Sequence, residues 1–234
     1  MTKTKFGLTG NQLKLFALFA MTIDHIGAFL LPQYVVLRLI GRLAMPIFAW
    51  MVAEGCEHTK SRFRYLITML GFGLVSQVIS YLASGSLHQN ILLTFSMSIL
   101  MICVLDLANR KKGFISLALM GITFTVFSYI CLFLPQDLPV SGFSIDYSIF
   151  GVLLPVAIYL GRTKQEKLLL GAVLLLPMAI VYGYYQWFAF LSLPLLALYN
   201  GMRGKARLKY LFYFYFPLHL AVIYGIAILL KYLK

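Results

Sequence analysis

Five side chains that lipid penalises lie inside apolar runs of this 234-residue sequence. They are Asp24 and His25 in LKLFALFAMTIDHIGAFLLP, Arg38 and Arg42 in LRLIGRLAMPIF, and His219 in YLFYFYFPLHL. Charged groups in a bilayer cost several kcal/mol unless they are paired or hydrated, and they usually mark function. Two arginines can hold an anion, or stabilise an oxyanion as its charge develops. A histidine can take a proton from an amine or hydroxyl near neutral pH. Asp24 can pair with an arginine or orient a histidine on another helix. It is badly placed to orient His25, because neighbouring residues point about 100° apart on a helix. These parts suit acyl transfer, and they suit a proton-coupled anion transporter equally well.

The elements that must position these residues follow from the apolar pattern. The chain is 61% hydrophobic and 12% charged, against roughly 25% charged in an average soluble domain. Continuous runs of about 20 apolar residues fit membrane-crossing helices, not the alternation of an outer-membrane barrel. The expected fold is all-α, one polytopic helical bundle over residues 1–234. The spans lie near 13–33, 35–56, 65–83, 90–108, 114–135, 145–161, 167–182, 184–200 and 210–230. Nine helices are expected, with eight and ten as the alternative counts. The first run carries no small-residue cleavage site and is expected to remain in the protein.

The net charge of +13 is distributed by topology, not as a nucleic-acid footprint. Alternate loops carry Lys3 and Lys5; Lys60, Arg62 and Arg64; Arg110, Lys111 and Lys112; Arg162, Lys164 and Lys167; and Arg203, Lys205, Arg207 and Lys209. The intervening loops carry no Lys or Arg. The positive-inside rule then predicts a cytoplasmic N-terminus in the inner (plasma) membrane. An odd number of spans sends the C-terminus outside, which Lys231 and Lys234 fit poorly.

Depth arithmetic brings the polar residues together. With the first helix starting near residue 13, His25 lies about 12 Å below the outer edge of the bilayer. The second helix returns from residue 34, so Arg42 lies at a similar depth, with Arg38 on the same face at i, i+4. Gln77, Asn90, Thr94, Asp146 and Tyr147 fall in the same outer half and are candidate substrate contacts. Cys56, Cys103 and Cys131 read as apolar packing residues. Glu54 and His58 are i, i+4 neighbours that lack a third metal ligand at useful spacing, so no metal is expected. Asp106 is expected to pair with Arg110, and His88 to be solvated in an outer loop.

At these residues the sequence resembles the TraX family, membrane proteins associated with pilin N-terminal acetylation. The segments that carry the resemblance are LKLFALFAMTIDHIGAFLLP, LRLIGRLAMPIFAWMVAEGCEHTKSRFRYL, SQVISYL, DYSIFG and YLFYFYFPLHL. The family is similar to a wider group of multi-helix acyltransferases, which carry a basic residue, ten intervening residues and a histidine in the first helix. Lys14 and His25 have that separation, with Lys where Arg is commoner. The resemblance implies that His25 is catalytic, with His219 in reserve and Asp24 and Arg42 in the same centre. It implies acetyl-CoA as donor, docked near Lys14, Arg38, Arg62, Arg64 and Lys111, with Arg110 and Lys112 as further candidates. The acceptor would be a pilin-like protein, a peptide or a glycan reached from the outer side. The competing expectations are the anion transporter and a non-enzymatic assembly factor for surface appendages.

Overall fold

The computed structural model describes residues 6–138, 142–206 and 208–233. Lys3, Lys5, Arg207, Lys234 and the side chain of Lys209 lie outside the described residues. The helices are α1 (Gly10–Phe29), α2 (Val35–Gly41), α3 (Ala44–His58), α4 (Arg62–Ser84), α5 (Ile91–Lys111), α6 (Phe114–Ser128), α7 (Leu134–Asp137), α8 (Ser148–Leu160), α9 (Lys164–Tyr182), α10 (Ser192–Ala197) and α11 (Lys209–Tyr232). A π-helical turn, Tyr129–Phe133, joins α6 to α7, and a 3₁₀ segment, Tyr184–Leu191, leads into α10. Among the described residues the chain makes nine passages between two ends of the bundle.

Local chemistry explains several boundaries. Thr9 and Gln12 form a reciprocal capping box at the start of α1, which satisfies backbone donors left unpaired at a helix start. Ser61, Asn90 and Thr163 cap α4, α5 and α9 more simply, each side chain accepting one backbone N–H of the first turn. The expected second helix is broken between Gly41 and Ala44. Pro46 has no N–H, and in a continuous helix its ring would strike the carbonyl of Arg42, four residues earlier. Within the first turn of α3, however, proline is well tolerated.

Among the described residues six segments are long and apolar enough to cross a membrane: Val35–His58, Arg62–Ser84, Ile91–Lys111, Phe114–Asp137, Lys164–Tyr182 and Tyr210–Tyr232. The chain is thus a multi-pass membrane protein. α1 is not among the six, because Lys14, Asp24 and His25 dilute its apolar character. α8 is apolar but shorter, and the eighth passage is the 3₁₀ segment followed by α10.

Six helices close a ring in the order α1, α11, α4, α5, α8 and α3, each packed on the next. α3 and α5 also touch across the ring and bury Ile47, Trp50, Phe95, Ile99 and Ile102. α6 is the most exposed of the six spans, with Phe114, Ile115 and Ile122 facing outward. Lys60, Arg62, Arg64, Arg110, Lys111, Lys112, Arg162, Lys164, Arg203 and Lys205 all gather at one end, the basic end. The far end carries the α1–α2, α4–α5 and α7–α8 connections. There a two-residue parallel pair, β1 (His88–Gln89) and β2 (Ser144–Ile145), ties two of those connections together.

Helix starts are staggered at the far end. A Cβ on Gly73, in the middle of α4, would press on Leu93 near the start of α5. The Asn90 amide donates to the Gly73 carbonyl at 2.8 Å. The Thr94 hydroxyl donates to the Asp146 carbonyl at 3.0 Å, and the Ser98 hydroxyl to the Val152 carbonyl at 2.8 Å. α5 and α8 therefore begin part-way along their neighbours and leave a depression above them.

Candidate functional site: a histidine pair and two cavities

Two cavities enter the bundle from opposite ends. The larger, about 770 Å³, lies inside the ring at the basic end, between α1, α3, α4, α5 and α11. Lys14, Lys60, Arg64 and Arg203 line it, and Leu18, Phe95, Phe212 and Phe216 form its apolar depth. The Lys14 ammonium sits 5.4 Å from the centre of the Phe212 ring, a distance at which the ring quadrupole attracts a cation. The second cavity, about 540 Å³, is the far-end depression. Arg38, Arg42, His88, Asp146, Tyr147 and Gln186 line it, beside Cys131 and Leu132 of the π-helical turn.

His25 and His219 line neither cavity; they form a pair packed behind Phe216, which lines the basic-end one. His25 Nδ1 lies 2.7 Å from His219 Nε2, with the rings stacked at a 10° interplanar angle. His219 is buried among the rings of Tyr215 and Phe216. Its Nδ1 lies 3.0 Å from the Tyr215 carbonyl. Phe216 lines the basic-end cavity and touches His219, and Leu18 lines it two turns before His25 on α1. Thr22, one turn nearer the histidines, shares a 2.7 Å hydrogen bond with the Tyr215 hydroxyl.

On the other side of α1, Asp24 takes both arginines. Arg38 Nη1 donates to Oδ2 at 2.7 Å, and Arg42 Nη2 donates to Oδ1 at 2.7 Å and to Oδ2 at 2.9 Å. Arg42 Nη1 also donates to the Tyr147 hydroxyl at 3.1 Å. This arrangement answers the question left by the sequence: Asp24 pairs with the arginines and leaves His25 to His219. The α1–α2 contact is tight here, since a Cβ on Gly41 would overlap the Asp24 carboxylate. Gly41→Ala should therefore destabilise the protein by about 1–3 kcal/mol, the usual cost of overpacking. A lowered unfolding midpoint in detergent would register it, and an unchanged midpoint would contradict the packing.

The expected donor-side residues divide. Lys14 and Arg64 line the basic-end cavity. Arg38 is a wall of the far-end cavity instead, held there by Asp24. Arg62 turns away to pair with Asp106, to meet the Tyr159 hydroxyl at 2.8 Å and to donate to the Cys56 carbonyl. The expected Asp106–Arg110 pair is thus replaced by Asp106–Arg62, because Arg62 begins α4 beside the last turns of α5. Lys111, with Arg110 and Lys112, is exposed at the end of α5 and lines neither cavity.

The expected outer contacts divide too. Asp146 and Tyr147 line the far-end cavity. Gln77, Asn90 and Thr94 line neither cavity: Gln77 accepts from Asn90, Asn90 caps α5, and Thr94 fastens the turn before α8. These are interhelical hydrogen bonds, the polar glue of a membrane bundle.

Sequence reasoning passed over Lys60 and Arg203, because topology alone accounts for basic residues in those loops. It also set His88 in solvent. His88 is exposed, yet its Nδ1 lies 2.6 Å from Ser144 Oγ across the short strand pair, and it forms part of the cavity wall. Glu57 supplies the third group near Glu54 and His58 that the spacing had lacked. The Lys167 ammonium bridges both carboxylates, at 3.0 Å from Glu54 and 2.7 Å from Glu57, and supplies the positive charge a metal would bring. The Tyr199 hydroxyl donates to Glu54 at 3.2 Å on the other side of that carboxylate.

The sequence profile of a family described as TraX protein matches residues 9–227. Over 70 residues, 28% of this chain, the sequence is 36% identical to a Dichelobacter nodosus protein described as "Probable fimbrial assembly protein FimC, serogroup H1". Over 68 residues, 29% of this chain, it is 38% identical to an uncharacterised protein of Rickettsia prowazekii (strain Madrid E). The matched stretches span 29% and 25% of those two relatives. No solved structure matches.

Proposed function

The chain belongs to the TraX family, and from that premise we propose that it is an integral membrane acyltransferase. It would move an acetyl group from acetyl-CoA, bound from the cytoplasm, to an acceptor on the other side of the inner membrane. The observation that carries this reading is the His25–His219 pair, packed behind Phe216 of the basic-end cavity and next in sequence to Asp24, which holds the Arg38 and Arg42 of the far-end cavity. A transfer with donor and acceptor on opposite sides needs a reactive group between two separate approaches.

The basic end faces the cytoplasm under the positive-inside rule. Lys14, Lys60, Arg64 and Arg203 would meet the phosphates of the donor, and the aromatic depth of the same cavity would take its pantetheine arm toward the histidines. His25 is the general base that accepts the proton of the attacking amine or hydroxyl. That nucleophile bonds to the acyl carbon as the C–S bond breaks, and the departing thiolate takes the proton back. The acceptor would occupy the far-end cavity, with Asp146, Tyr147 and the Arg38–Arg42 pair as its polar contacts. The match to a fimbrial assembly protein favours a protein acceptor such as a pilin, and a surface glycan or peptide would use the same machinery.

Purified protein in nanodiscs, incubated with radiolabelled acetyl-CoA, tests the reading. Slow thioester hydrolysis or self-acetylation supports it, and the absence of both binding and turnover removes acetyl-CoA as donor. The double variant Lys14→Ala/Arg64→Ala should raise the KM for acetyl-CoA with little change in kcat. Its effect should shrink as salt rises, because exposed cation–phosphate attraction is screened. A loss in kcat alone would place the two cations elsewhere in the reaction.

A further inference from the structure

The hydrogen-bond chain through the histidine pair fixes where each ring carries its hydrogen. His219 Nδ1 lies 3.0 Å from the Tyr215 carbonyl, which can only accept. Nδ1 is therefore the N–H donor. A neutral imidazole has one donor and one acceptor nitrogen, so His219 Nε2 carries a lone pair. That lone pair lies 2.7 Å from His25 Nδ1, so Nδ1 of His25 is the donor there. One nitrogen remains: Nε2 of His25, which is left unprotonated.

We infer that His219 is a positioning residue, anchored by the Tyr215 carbonyl, that holds His25 in the tautomer whose Nε2 is free to accept a proton. This rests on the acyltransferase reading for its reaction, while the tautomer itself does not depend on it. The assignment gives the two histidines unequal roles. His25 is the base, and His219 does what a carboxylate does in a Ser–His–Asp triad: it orients the ring and fixes its tautomer. Asp24 cannot do this, because Arg38 and Arg42 occupy its oxygens. When Nε2 takes the acceptor's proton, the Nδ1–H···Nε2 bond lets both rings share the new charge. The proton then leaves with the thiolate as the C–S bond breaks, so the pair returns to its starting state with no net redox change.

The first test needs no substrate. The chain has four histidines, so ¹⁵N-histidine labelling in nanodiscs gives a spectrum that single substitutions can assign. His25 and His219 should both carry hydrogen on Nδ1 near neutral pH, with a coupling across the N–H···N bond. In His219→Leu, His25 should move toward the Nε2–H form that free imidazole side chains favour. Finding Nε2–H on His25 in the unaltered protein, or no tautomer change in His219→Leu, overturns the inference whatever the protein does with acetyl-CoA. The second test is kinetic. His219→Leu should lower kcat roughly 100-fold, at the low end of general-base effects, with KM unchanged. His219→Gln, whose amide oxygen can accept from His25 Nδ1, should recover most of that loss. Equal losses in both variants, or a change in KM alone, would also overturn it. A spectrum as expected, with no turnover by any form of the protein, would leave the positioning role standing and sink the acyltransferase reading.

Discussion

His25→Ala should abolish acetyl-CoA turnover in a protein that still folds. General-base assistance contributes about 10²–10⁴-fold, and a loss in that range is expected here. His219 could substitute only if its Nε2 lone pair, freed of His25, met the substrate, but that ring is buried under Tyr215 and Phe216. Stability should fall much less than activity. The alanine removes one neutral ring, and the N–H···N contact it breaks is worth about 0.5–1.5 kcal/mol net. The decisive comparison is residual turnover against the folded fraction, with tritium release from acetyl-labelled donor as the readout. Turnover within tenfold of wild type would remove His25 from the chemistry and assign the base to another residue.

Asp24→Ala is expected to be the most destabilising single change at the site. It leaves two guanidiniums in the bundle with their shared counter-ion gone. Breaking a buried pair from one side costs about 3–5 kcal/mol. The Arg42 side chain is 13% exposed and the Arg38 side chain 33% exposed, so the lower part of that range applies once solvent screening is counted. The loss should appear as a lowered unfolding midpoint in mild detergent and as poor membrane accumulation. Replacing Arg38 and Arg42 by Met in the Asp24→Ala background should restore much of the stability, because the uncompensated charges leave with them. Activity should not return, since the far-end wall would have lost its cations. An Asp24→Ala protein as stable as wild type would mean that Asp24 does not hold the arginines.

Much of this was legible in the sequence, for identifiable reasons. Hydropathy located the nine passages, since each must satisfy its own backbone in lipid. Helical rise placed Asp24, Arg38 and Arg42 at one depth, and the three do meet. The histidine pair was not legible as a pair. His25 and His219 each stood out as polar residues in apolar helices, but only packing of α11 against α1 decides that their rings touch. The donor-side charges were also beyond reach. Arg62 and Arg64 are two residues apart and look alike in sequence, yet on a helix they point in different directions. One meets Asp106 and the other the cavity. The break before Ala44 could have been read from Pro46. The short strand pair could not, because it depends on two distant loops reaching one depression.

The ring is closed by the end of the chain. Its last member in chain order, α11, fills the gap between α1 and α4, and His25 and His219 are 194 residues apart. The first helix is also tied to the far part of the chain by Asn11, whose amide donates to the Ala206 carbonyl at 2.7 Å across 195 residues. Contacts of such long range carry a loop-closure cost, and the ring cannot close before α11, the last helix in chain order, is made. A chain still being inserted thus has Lys14 facing an open seam, and its prospective base has no partner ring to set its tautomer. In the acyltransferase reading proposed above, chemistry toward a thioester would begin only once the seam is sealed, and unfinished copies would leave the donor pool untouched.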